Sequence, residues 1–151
     1  MLGAMIGDIV GSIYEWDNIK STDFVLFQPN STFTDDTVLT AATEKAIITR
    51  MSYTDAYQDF ARRYPGRGYG GNFSRWIYAD DPKPYNSWGN GSAMRVSPVG
   101  FAYNTVEEVL TEAERSAAVT HNHPEGIKGA QSTALAILMA KQGQPKSNIR
   151  E

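Results

Sequence analysis

The chain has 151 residues, 41% of them hydrophobic, and a net charge of -3 at pH 7, which bounds it to a single domain with a core of its own. Acidic and basic residues are interspersed, so there is no broad electrostatic footprint for nucleic acid or an anionic membrane. Cysteine is absent, which excludes disulfides, thiolate metal ligands and cysteine nucleophiles and suits a reducing cytoplasm, the expected location.

The N-terminal stretch MLGAMIGDIVG has no basic n-region and meets Asp8 early, so it does not read as a signal peptide. Residues 3–14 are small and apolar, with Gly3, Gly7 and Gly11 spaced for close helix packing. GDIVGSIYE, 7–15, adds Asp8 and Glu15 to that helix; packing with polar ends and a place in a site are both open readings. Residues 16–33 are irregular.

FTDDTVLTAATEKAI, 33–47, opens a helix running from about 35 to 50. Thr34 is a good N-cap, and Asp35 and Asp36 suit the positive end of the helix dipole. The same residues also read as metal ligands. Neighbouring helical residues point about 100° apart, so the two carboxylates can serve different cations. Oxygen-only donors suit Mg²⁺, Ca²⁺ or Mn²⁺ rather than zinc or copper.

Ser52 or Thr54 caps a further helix to about Arg63. Residues 65–92 are dense in glycine, proline, asparagine and aromatics, the composition of an ordered binding loop. Within it YGGNFSRW, 69–76, reads as packing. NSWGNGSAMR, 86–95, has glycines that would let backbone N–H groups approach a phosphate at a helix start, or it is an ordinary turn.

Helical stripes follow at Val106, Val109, Leu110, Ala113 and Ala117, and at Ile127, Ala130, Ala134, Leu135 and Leu138. Between them THNHP, 120–124, offers His121 either as a ligand contact or as a histidine closing a helix before Pro124. Gly143 ends one helix, and Pro145 with Ser147 opens another that meets Glu151 in its first turn. No β-alternation emerges, so the expected class is all-α. The longest apolar run, 134–140, is far short of a membrane span.

In order, GDIVGSIYE, FTDDT, GNGSAMRVSP and the TH pair resemble the ADP-ribosylglycohydrolase family, over nearly the whole chain. The resemblance implies a compact multi-helix fold and a cleft holding two divalent cations, Mg²⁺ or Mn²⁺. It implies Thr34, Asp35 and Asp36 as metal ligands, with Glu15 and Asp36 in catalysis. It places the diphosphate and distal ribose against Ser87, Trp88, Gly89 and Asn90, and the adenosine side by His121. The reaction implied is hydrolysis of the glycosidic bond joining ADP-ribose to a protein side chain or small acceptor.

The family's second metal cluster, Asp-x-Asp-[Thr/Ser], has no counterpart here; Asp80-Asp81 lacks the pattern. With the helix stopped at its first turn, this makes 1–151 read as the N-terminal part of such a domain, truncated on its C-terminal side. Half of the metal ligands would then lie elsewhere, and a companion C-terminal fragment or self-association is expected. A non-catalytic ADP-ribose or nucleotide binding module, and a helical domain whose TDDT is only a cap, are the competing readings.

Overall fold

A computed structural model describes residues 2–150, and the regular elements among them are all helices. The elements are α1 (Leu2–Gly11), a 3-10 turn (Ser12–Tyr14), α2 (Asp35–Thr49), α3 (Tyr53–Arg63) and α4 (Gly71–Trp76). After them come α5 (Gly91–Met94), α6 (Ser97–Ala102), α7 (Val106–Ala118), α8 (Pro124–Lys141) and α9 (Lys146–Arg150). The first segment is thus two elements rather than one helix, since the 3-10 turn takes over at Ser12. Among the described residues no helix is long and apolar enough to cross a membrane.

Local chemistry sets the boundaries. Ser52 caps α3 by accepting from the Asp55 N–H. Thr105 and Glu108 form a reciprocal capping box on α7, leaving two otherwise orphaned donors satisfied. Arg50 in the left-handed region ends α2, and Gly143 with φ 75° follows α8.

Two apolar clusters form the interior. Leu39, Ala42 and Ala46 of α2 pack with Tyr53, Ala56, Tyr57 and Ala61 of α3 and with Phe73 and Trp76 of α4. Phe73 and Trp76 stack at 5.3 Å between centroids, so YGGNFSRW does serve packing. The second cluster joins Val96 and Val99 to Val109, Ala113 and Ala117 of α7 and Ala130, Ala134 and Leu138 of α8.

Alanines at that α7–α8 seam bring the helices close. α6 comes close as well: a Cβ on Gly100 would lie 2.6 Å from the Ala134 carbonyl oxygen. Ile47 touches both clusters, which fixes the α2–α3–α4 unit against the α6–α7–α8 unit. The start of α2 and the loop before α5 then face one another across a cleft.

Candidate active site

The cleft has a volume of about 390 Å³. Its acidic end is built at the start of α2, where Thr34 is the N-cap and accepts the Asp36 N–H at 3.3 Å. Asp8 of α1 reinforces that cap from a distance. It accepts the Thr34 N–H at 2.8 Å and the Thr37 N–H at 3.1 Å, along with both threonine hydroxyls at 2.6 and 2.5 Å. Four donors converge on one carboxylate, which ties α1 to α2 and satisfies orphan amides of the first turn. The Asp35 N–H goes to the Arg67 carbonyl at 2.8 Å.

The capping reading of FTDDT therefore holds. Its residues cap the helix, and the Asp35 and Asp36 carboxylates also line the cleft beside Glu15. Burial is the main reason the Asp35 carboxyl is pushed up to about 6, and the Asp36, Glu15 and Asp8 charges add to it. Asp36 is raised as well, first by burial and then by Asp8 and Glu15. The Arg67 guanidinium lies over the Phe33 ring at 3.8 Å and donates to Thr32 Oγ1 and the Phe33 carbonyl. Among the described residues neither aspartate has a salt-bridge partner.

Crowded, uncompensated oxygen donors fit a hard divalent cation. Thr34 Oγ1 gives its proton to Asp8 and accepts one N–H, so one lone pair remains for an ion. The set is incomplete, however: no group of three or more His, Asp or Glu side chains is gathered at ligating separation among the described residues.

The opposite end is lined by glycine, polar and aromatic residues. Ser87, Gly89, Asn90, Gly91, Tyr85, Arg95 and His121 line it. The 85–87 segment is strapped to the α7–α8 junction, with the Tyr85 and Ser87 N–H groups on the Thr120 carbonyl at 3.3 and 3.4 Å. Gly126 allows that approach, because a Cβ there would sit 2.7 Å from the Ser87 carbonyl oxygen. His121 follows α7, where its N–H closes on the Ala117 carbonyl, and its ring reaches the cleft. Burial and the Arg95 charge push its imidazole down to about 4, so it is neutral at physiological pH. His123 instead caps α8, accepting the Glu125 N–H on its Nδ1.

Of the residues singled out from sequence, Glu15, Asp35, Asp36, Ser87, Gly89, Asn90 and His121 share this one cleft. Thr34, next to Asp35, is not among the lining residues, and the Trp88 ring points outward, 76% exposed and 6.1 Å from the His123 ring. Sequence reasoning missed Gly68, Tyr85 and Arg95 as lining residues. Arg95 stands inside the GNGSAMR motif, yet arginine is so commonly exposed that its complete burial is not readable there.

The sequence and fold also have counterparts among known proteins. Mouse ADP-ribosylhydrolase ARH3 is 31% identical over 97% of this chain and 49% of its own length. The human ADP-ribosylhydrolase ARH3 is 30% identical over 97% of this chain and 50% of its own length. A solved structure described as an ADP-ribosylglycohydrolase-related protein complex superposes with a TM-score of 0.74 at 25% identity, covering 98% of this chain and 56% of the other. The chain thus spans about half the length of these relatives. The sequence profile of the ADP-ribosylglycohydrolases matches residues 1–151. Since that match runs from end to end and the family's motifs converge on one cleft, the chain belongs to the ADP-ribosylglycohydrolase family.

Proposed function

We propose that the protein of which these residues form part is a metal-dependent hydrolase of ADP-ribosyl groups attached to a protein side chain or a small acceptor. The observation that carries this reading is the polarity of the cleft. One end gathers Glu15, Asp35 and Asp36, and the other offers glycine backbone and a neutral His121, with Arg95 buried behind it. ADP-ribose has matching parts: a ribose whose anomeric carbon is attacked, an anionic diphosphate, and an adenosine.

Asp35, Asp36 and the remaining lone pair of Thr34 would hold Mg²⁺ or Mn²⁺. When bound, such an ion supplies a Lewis acid that orients sugar hydroxyls and makes water more acidic. Glu15, on the rim beside the aspartates, positions or deprotonates the water or protonates the leaving group; glycoside cleavage through an oxocarbenium-like transition state needs such a carboxyl. Ser87, Gly89 and Asn90 approach the diphosphate, and His121 the adenosine side.

The family's second aspartate cluster is not in residues 1–151, so we propose that full turnover draws on ligands from outside this segment, contributed covalently or by a companion polypeptide. The direct test is Mn²⁺-dependent release of ADP-ribose from an ADP-ribosylated protein. The reading expects little release by residues 1–151 alone and release once the downstream segment of a full-length relative is supplied. Glu15→Gln in that active form is expected to lower kcat by about 10²–10⁴-fold. ADP-ribose binding with no release under either condition would favour a non-catalytic binding module.

A further inference from the structure

Arg95 is the largest fully buried side chain in the molecule's described part. A buried cation is expensive unless it is paired, and among the described residues no carboxylate pairs with Arg95. Its guanidinium lies 4.1 Å from the Tyr57 ring centroid, and its Nε has no hydrogen-bond partner. Nη2 makes two bonds: to the Ser116 carbonyl at 3.1 Å and to Thr120 Oγ1 at 2.8 Å. Thr120 Oγ1 in turn lies 2.8 Å from His121 Nδ1. The three groups form a chain from the protein interior to the cleft.

The direction of that chain follows from the donor inventory. A guanidinium only donates, so Thr120 Oγ1 accepts from Arg95. The Thr120 proton then has His121 Nδ1 as its acceptor. Tyr85 also stands near Thr120 with its phenol kept protonated by burial, and we take it as a second donor to the same oxygen, which leaves His121 Nδ1 to accept the Thr120 proton. An imidazole that accepts on Nδ1 is neutral and carries its proton on Nε2. The position of that nitrogen is fixed by Gly91, where a Cβ would come within 3.0 Å of both His121 Cε1 and Nε2. Nε2 makes no hydrogen bond to the protein among the described residues.

We propose that Arg95 and Thr120 are positioning residues that hold His121 as its Nε2–H tautomer, so that the cleft meets a hydrogen-bond donor aimed past Gly91. The ligand group it recognises is therefore an acceptor, such as a ring nitrogen or a hydroxyl oxygen on the nucleoside side. The ligand part of this inference rests on the proposed ADP-ribose reading; the tautomer part does not. Burial, and after it the like charge of Arg95, lowers the basicity of His121 and keeps the ring neutral.

Long-range ¹H–¹⁵N correlation of the His121 ring in folded protein reads the tautomer directly. Wild type is expected to show a protonated Nε2 and a bare Nδ1. Thr120→Val, nearly isosteric, is expected to remove the bias, and Thr120→Ser to keep it. ADP-ribose affinity is expected to fall about tenfold in Thr120→Val and to stay near wild type in Thr120→Ser. A protonated Nδ1 in wild type, or an unchanged tautomer in Thr120→Val, overturns the relay. An altered tautomer together with an ADP-ribose affinity that even His121→Phe leaves unchanged retains the relay and overturns the ligand reading instead.

Discussion

Asp35 and His121 sit at opposite ends of the cleft and respond to pH with opposite signs. In the metal-free protein Asp35 is held up to about 6, so the folded state binds its proton more tightly than the unfolded chain does. Stability from this residue is greatest at low pH and falls as pH rises through the interval between the ordinary aspartate value and about 6. His121 is held down to about 4, so its contribution is full above about 6.5 and is lost as pH falls toward 4. Urea unfolding without metal should therefore show Asp35→Asn gaining on wild type between pH 4 and pH 7. Mn²⁺ should reverse that order, because only wild type has its full carboxylate set to gain binding free energy. Calorimetry should find Mn²⁺ affinity reduced at least tenfold in Asp35→Asn/Asp36→Asn; equal affinity would remove the metal assignment. The aspartates were legible as candidates because TDDT is short and local. Their crowding with Glu15 and Asp8 was not, since it depends on α1 docking beside α2.

At the scale of elements, the α2 N-terminus and the 85–91 loop are each held by contacts that reach across the sequence. α1 has no buried residue and is joined to α2 largely through Asp8. Removing that carboxylate leaves two first-turn amides and two hydroxyls unserved, at about 2 kcal/mol or more by ordinary capping and charged hydrogen-bond values. Asp8→Ala should thus lower the Tm and raise hydrogen exchange at Thr34 and Thr37, while α8 amides keep their protection. The loop is sensitive in another way. Gly126→Ala would push a methyl toward the Ser87 carbonyl and the His121 Cβ, so the 85–87 strap must shift. ADP-ribose binding should weaken more than overall stability, as read by parallel calorimetry and thermal melts. Periodicity predicted α2, α3, α7 and α8 well, because caps such as Thr34, Ser52 and Thr105 are written locally. The short α4, inside the glycine-rich segment, and α5 and α6, at its end and beyond it, were not distinguished from sequence. Their conformations are imposed by tertiary packing of Phe73, Trp76, Val96 and Val99.

For the whole molecule, the same two-cluster interior that opens the cleft leaves much apolar surface uncovered. Leu2, Trp16, Val25, Leu26, Phe27 and Ile48 are all more than half exposed. Such surface exceeds what isolated monomers ordinarily tolerate when it is contiguous, and sedimentation of residues 1–151 is expected to show concentration-dependent association that a companion segment suppresses. The all-α class and the gathering of the acidic and glycine-rich motifs were readable from motif order. The burial of Arg95 and its link to His121 through Thr120 were not, since nothing local marks an arginine as interior. The central claim is that this one cleft takes ADP-ribose end to end, with its ribose at the aspartates and its diphosphate at the glycine loop. Isothermal titration of ADP-ribose into Mn²⁺-loaded protein tests it most directly. Saturable binding is predicted, weakened at least tenfold by Gly89→Val and by chelation of the metal, and unaffected by Lys128→Ala on the outer face of α8. No binding by folded protein, or binding indifferent to both Gly89→Val and metal removal, would contradict it.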